Sequence, residues 1–500
     1  MPISSNFLTP RPALLGLAAT AALSLTACGG GSSSDDDNGA TGGGGAPTLT
    51  TGTVAILMTD APTDEFCHIY ADIESIDLLG TSGTPTNVFV GPETVDLLDL
   101  RNYSDVFSIA TGVPIGSYEK VRMTLSDLTL VQCNDLGEPV SEEHPRLPGN
   151  GKMDLNPRGM FEVIGGETLV IELDMDMNKS LHVHQTGNGR WQFRPVIFVT
   201  IRPDDSKLVR VFGEVRNLGT STFELCPIEP VSSTDTDGPN TAFDECIDVS
   251  TDPSTGIFDE TGTPVGFSAI ANTDLLTAIG FLSLHDDMDG DTRMDDLLLN
   301  AAVLELGPID TFERIRGAVV SAPGNNDRFE FDGAPLDSLT GTFDVLLQSG
   351  TRIFALGSNE ELTSAALQPN TEGEVDGVFF DVGLPSEALA SSLIVLDQDT
   401  TPEVSILDAT IASIPADDDP TTPETRRILV DTTGLPGQCV KTDAETRYLL
   451  ITESATSSET TEITFASLAV TNSVDVYGTT DPVELNCVLA DTIQKYVPAP

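Results

Sequence analysis

The densest grouping of metal-ligating side chains is the run HDDMDGDTRMDD at residues 285–296, where Asp287, Asp289 and Asp291 recur at every second position around Gly290 and Asp295 follows. Carboxylates crowded in this way repel one another, and a divalent cation relieves the repulsion. Calcium, which takes about six to eight oxygen ligands from tight acidic loops, is the cation that suits them. The run departs from a helix-flanked calcium loop: Thr292 stands where glycine is required and Leu298 where a bidentate Glu is required. It is closer to the abbreviated Asp-rich loops of extracellular repeats. Weak calcium binding through Asp287, Asp289, Asp291 and Asp295 is therefore expected, and an acidic hairpin turn without an ion accounts for the same spacing.

A second grouping pairs His182 and His184, which in a strand point to one face, with Asp174 and Asp176 at the same spacing upstream. Imidazoles so placed suit a transition metal, and a polar strand face beside a turn at Gly187, Asn188 and Gly189 explains them equally simply. Catalytic patterns do not appear: there is no Gly-x-Ser-x-Gly, no His-Glu-x-x-His, no P-loop and no dinucleotide glycine fingerprint at a strand-to-helix junction. Carboxylates are too numerous for any two to be singled out as a glycosidase pair. No catalytic residue is assigned.

Asp and Glu total 78 against 24 Lys and Arg, a net charge of -54. That field repels phosphate backbones, so nucleic acid is excluded as a partner, and a single Trp with six Tyr gives little material for stacking sugars. Seven cysteines fall as Cys28 and then Cys67 with Cys133, Cys226 with Cys246, and Cys439 with Cys487. An even set after Cys28 reads as three local disulfides in an oxidising compartment, since there is no Cys-x-x-Cys and no His at zinc-finger spacing to offer a zinc site.

The elements that position these residues are strands. Short runs rich in Val, Ile, Leu, Phe and Thr alternate with Gly, Pro, Asp and Asn turns, as in TVAILMT (53–59), HIYADIESIDLL (68–79), YEKVRMTLSDLTLV (118–131) and RWQFRPVIFVTIRP (190–203). Mixed apolar spacing predicts one short helix over Arg101–Ala110. At the N-terminus, a polar start holding Arg11, an apolar run from Ala13 to Leu25 and the small residues Thr26 and Ala27 have a signal peptide's layout. Leu25, Thr26, Ala27 and Cys28 resemble a lipobox, which makes Cys28 the lipidated N-terminus of the mature chain. By resemblance to Gram-negative sorting rules, Gly29 at the next position favours the outer membrane. Residues 28–50, rich in Gly, Ser and Asp, are expected to be a flexible tether.

Three stretches carry a family resemblance: GTVAILMTDAP at 52–62, VDLLDLRNYSDVFSIATGVPIGSYEKVRMTL at 95–125 and ELDMDMNKSLHVHQTGNGRWQFRPVIFVTI at 172–201. In this order they resemble the family called domain of unknown function 4382, which implies a β-sandwich over residues 51–203 and no catalytic assignment. Beyond it a strand pattern recurs three times, over 204–312, 313–400 and 401–500. Five strands per copy suit a small barrel. The pattern is similar to the family called domain of unknown function 5666, which implies an oligonucleotide/oligosaccharide-binding (OB) type of barrel.

The expectation is thus an all-β chain: signal peptide 1–27, tether 28–50, N-terminal β-sandwich and three small five-stranded OB-type barrels. Its expected role is a membrane-anchored, non-enzymatic binding module of the cell envelope, with a glycan or an envelope protein as partner. A polymer-acting hydrolase and a passive spacer are the alternatives.

Overall fold

Alternating apolar positions commit most of the described residues to strands, and no helical segment among them exceeds four residues. The computed structural model describes residues 49–61, 66–81, 84–100, 103–134, 139–157, 159–183, 191–193, 195–202, 207–227, 246–285, 296–324, 326–335, 341–381, 387–398, 403–415, 426–454 and 456–497.

Twelve strands build the sandwich: β1 (Thr51–Ala61), β2 (His68–Gly80), β3 (Pro85–Asp96), β4 (Ser104–Pro114), β5 (Gly116–Cys133), β6 (Pro139–Glu143), β7 (Lys152–Asn156), β8 (Phe161–Val163), β9 (Thr168–Asp176), β10 (Leu181–Val183), β11 (Trp191–Phe193) and β12 (Ile197–Arg202). One sheet runs β12-β9-β1-β4, with β1 parallel to β9. The other runs β3-β2-β5, with β6, β7 and β8 also paired to β5. Val54, Ile56 and Met58 of β1 meet Ile69, Ala71, Ile73, Ile76 and Leu78 of β2 between the sheets, all fully buried. Each of these side chains other than that of Ala71 contributes about 1.5–3 kcal/mol. The inward set of β2 changes parity after Ile73 because a bulge falls between Ile73 and Ser75, so both halves of the strand still feed one core.

The predicted helix over Arg101–Ala110 is not there. Leu97–Leu100 form one 3-10 turn and Ser104–Pro114 are strand β4. The misleading spacing has a physical origin: β4 is apolar on both faces, sending Ala110 and Val113 into the sandwich core while Ile109 and Val106 join Ala55, Leu57 and Val170 in a second core on the back of the same sheet. A strand covered on both faces loses the alternation that marks strands.

That second core belongs also to the first barrel: β13 (Val209–Arg216), β14 (Thr222–Cys226), β15 (Ile247–Ser250), β16 (Gly256–Phe258), β17 (Leu275–His285) and β18 (Asp296–Leu306). The second barrel comprises β19 (Glu313–Val319), β20 (Arg328–Pro335), β21 (Gly341–Ala355), β22 (Glu372–Asp381) and β23 (Glu387–Leu396), closed in the order β19-β20-β21-β23-β22. The third comprises β24 (Glu403–Ser413), β25 (Arg426–Thr432), β26 (Leu435–Thr442), β27 (Arg447–Glu453), β28 (Ser458–Ile463), β29 (Ser473–Thr480) and β30 (Cys487–Val497).

All three barrels share one ring, first-second-third-fifth-fourth, with only the third and fifth strands parallel. In the first barrel β15 and β16 together serve as the third strand, each parallel to β18. In the last, β26 and β27 do so against β30. A three-residue 3-10 turn precedes the fourth strand in every copy, at Phe267–Ala269, Ser364–Ala366 and Phe465–Ser467. The repetition extends to a single glycine. Gly280, Gly377 and Gly478 each follow a bulge between the fourth and fifth strands. A Cβ there would sit 2.2, 2.3 and 2.0 Å from the carbonyl oxygens of Asn300, Ala390 and Leu489. Barrel closure needs this sharp coiling, and glycine permits the backbones to approach closely enough for it.

The barrels are not strung out as beads. β13 pairs with β4 and so extends the first sheet of the sandwich. β28 pairs with β7 and extends the second. The second barrel packs on the first through Phe258, Val303, Phe354, Leu393 and Val395, beside Tyr103 of the sandwich.

Candidate functional site

Several residues singled out in the sequence lie outside the described residues: Cys28, His184 and the acidic loop holding Asp287, Asp289, Asp291 and Asp295. Its flanks are described. β17 and β18 pair as far as His285 opposite Asp296, so the loop joins the fourth and fifth strands of the first barrel. His285 Nε2 lies 3.3 Å from Asp248 Oδ2 on β15 at that same end of the barrel.

Of the proposed imidazole and carboxylate set, the backbone of His182 pairs with Gln192, while Asp176 has other work. It caps a helical turn at Met177–Ser180, accepting from the Lys179 backbone N–H at 2.9 Å and from Lys179 Nζ at 2.6 Å. Burial raises the carboxyl pKa of Asp174 and of Asp176, with Lys207 and Lys179 respectively opposing the rise. Lys179 reaches Asp491 of the last barrel at 3.3 Å, and Tyr477 Oη donates to the Lys179 carbonyl at 3.1 Å. Asp176 is therefore tied through Lys179 to a joint with the third barrel.

The six remaining cysteines form three disulfides, Cys67–Cys133, Cys226–Cys246 and Cys439–Cys487. Each ties neighbouring strands of its own module. Cys439 and Cys487 face one another across the parallel pair β26–β30. Sulfur so committed is not a metal ligand, although His68, Glu224 and Glu484 stand beside the three bridges.

The strongest perturbation of ionisable groups is one the sequence reading did not single out. Arg210 of β13 reaches Glu305 of β18 at 3.3 Å and Asp376 of β22 at 3.0 Å, with its guanidinium 5.2 Å from the Tyr103 ring centre. Tyr103 Oη donates to Asp376 at 3.2 Å, and Ser392 Oγ donates to Glu305 at 2.5 Å. Two residues before Asp376, Glu374 takes Arg316 Nε at 3.0 Å, and Arg316 also donates to the carbonyl of Leu98 in the sandwich.

Burial pushes the Asp376 carboxyl well up and the Glu305 carboxyl up, against the pull of Arg210. At Glu374 burial acts the same way but Arg316 and Arg314 outweigh it, holding the carboxyl below its usual range. Tyr103 is pushed well up by burial and by Asp376. Shifted carboxyls mark active sites as well as structural networks. Here Asp376 is 0% and Glu305 2% exposed, sealed where the sandwich and two barrels meet, so no polymeric chain reaches them. The arrangement is a clamp. Its one sequence signal is charge placed inside an otherwise apolar strand, as Glu305 in AAVLELG (301–307) and Glu374 and Asp376 in EVDGVFF (374–380), which alternation alone does not distinguish from a solvent-facing residue.

With this geometry in hand, comparison with known proteins adds one match: residues 51–195 fit the family model described as Domain of unknown function (DUF4382). The first domain is thus similar to that family, over nearly the span its strand pattern suggested. No curated protein matches the chain. No solved structure matches it either.

Proposed function

We propose that this chain is a lipid-anchored lipoprotein of the cell envelope, held at Cys28, whose sandwich and barrels serve as a non-enzymatic binding module for a glycan or an envelope protein. The observation that carries the reading is the set of three local disulfides, because such bonds form and persist in oxidising compartments outside the cytosol. The signal-peptide layout before Cys28 supports the same address, and Gly29 supports the outer membrane. The ring order of the barrels supports their likeness to OB-type repeats of the family called domain of unknown function 5666, without supplying a ligand. Calcium is proposed as the ligand of Asp287, Asp289, Asp291 and Asp295.

Binding rather than hydrolysis is favoured because the Asp376 and Glu305 carboxyls, raised by burial, are engaged in a joint between two barrels. The decisive experiment is capture from intact cells with a membrane-impermeant crosslinker, followed by identification of the captured glycan or protein. One recurrent envelope partner, lost when barrel loops are exchanged, is the expected result. Turnover of an envelope polymer by the purified chain overturns the reading in favour of a hydrolase.

A further inference from the structure

Three aliphatic side chains crowd the pole of the sandwich at which the chain enters it. Leu49, Ile115 and Ile164 are 38%, 45% and 50% exposed. Their backbones are interlocked. The N–H of Ile115 donates to the Thr50 carbonyl at 3.1 Å, that of Gly166 to the Thr51 carbonyl at 2.9 Å, and Gly165 lies so close that a Cβ there would be 3.2 Å from the Leu49 Cβ. Gly116, next to Ile115, pairs with Val163, next to Ile164. The tips are therefore presented by fixed backbone, and Met160 adds a 61% exposed side chain at the far end of β8.

We infer that this pole rests on the lipid surface, its aliphatic tips entering the headgroup boundary of a zwitterionic leaflet. The inference rests on the lipid-anchored reading and goes beyond it by naming the face that meets the membrane. The length of chain ahead of the pole supports lipid as the occupant. Cys28 precedes Leu49 by 21 residues, whose covalent reach is at most about 70 Å. The pole is thus the part of the folded unit that the anchor holds nearest to lipid, and a weak contact gains from that high effective concentration.

Size argues against a second copy as the occupant. A stable partner needs about 800 Å² from each side, more than three half-exposed aliphatic side chains offer. Charge selects the lipid class. Glu162 and Glu167 flank the tips on a chain of net charge -54, so anionic headgroups are repelled and zwitterionic ones are not.

The test uses the full acylated chain in phosphatidylcholine vesicles whose acyl chains are brominated, which quenches indole emission on contact. Trp191 is the only native tryptophan. In a Trp191→Phe background shown to melt like the parent, Ile164→Trp and, as a second probe, Ile115→Trp are compared with Leu485→Trp, whose site on the third barrel is 75% exposed. Brominated lipid is expected to quench the first two at least twofold and to leave the third unchanged. If the protein floats with the vesicles but all three respond alike, the pole does not touch lipid; the inference falls and the anchor stands. If the protein does not float, the anchor reading fails and carries the inference with it. An emission shift that follows protein density and ignores bromination overturns it in favour of self-association.

Discussion

Replacing Arg210 by Met removes the cation of the three-module clamp while keeping most of its volume. At an effective dielectric of about 20, each of its contacts, at 3.0 and 3.3 Å, is worth about 5 kcal/mol of gross attraction. Desolvation of the guanidinium offsets much of this, and the net cost of stripping one partner from a buried ionic group is about 3–5 kcal/mol. That is a large share of a total stability of about 5–15 kcal/mol. Chemical denaturation with disulfides intact measures it.

The pH dependence gives a sharper test. A carboxyl raised in the folded state contributes stability that is fully present below its unfolded pKa and is lost as pH rises through its folded pKa. Asp376 and Glu305 are both raised, so Arg210→Met, which lets them rise further, should be more damaging at pH 8 than at pH 5. Adding Asp376→Asn and Glu305→Gln should restore most of the loss and flatten the dependence. A loss below about 1 kcal/mol in the single variant, or one independent of pH, refutes the account of the clamp.

Ala at Gly280, Gly377 or Gly478 should lower stability by about 1–3 kcal/mol through overpacking at the bulge, whereas Gly341→Ala, where a Cβ meets nothing within 4 Å, should be neutral in the same thermal melts. Equal melting temperatures for all four would remove the bulge as a requirement for closure. Radiolabelled acyl chain should enter the parent and not Cys28→Ala, which should appear in the soluble fraction; labelling of the variant contradicts the anchor. Millimolar calcium should raise the melting temperature of the full chain more than magnesium does, and Asp289→Asn with Asp291→Asn should abolish the difference. Equal responses in parent and variant would mean charge screening alone.

The all-β class, the sandwich strands and the cysteine pairs were legible because alternation and the even count of cysteines are local signals. The ring of the third copy is complete, but β26 (Leu435–Thr442) carries little strand signal because LPGQCVKT opens with three exposed positions that include Pro and Gly. In the first copy the third strand carries a faint signal because β15 and β16 are short pieces of four and three residues. The clamp was illegible for a different reason. Arg210, Glu305 and Asp376 sit on three strands from two barrels, and only the packing of one barrel on another turns three ordinary strand charges into a buried cluster. The strand β4 was misread because its second face is covered by a barrel that begins about a hundred residues later.

The pairing of β7 with β28 carries a consequence for the order in which the molecule is completed. Met153 lies opposite Ser458, and Asn156 bonds Thr461 across 305 residues of sequence. A chain made from its N-terminus therefore holds a sandwich with one strand edge open until nearly the last barrel has emerged. Contacts of such range are slow to form, and an open edge invites pairing with other chains in the interval. β7 is suited to the wait: it is five residues long, begins at the exposed Lys152 and carries Asp154, held by Arg122 at 2.5 Å. A short, charged edge is a poor template for aggregation. The sandwich is the first module to be made, yet its second sheet is completed only by a strand of the last.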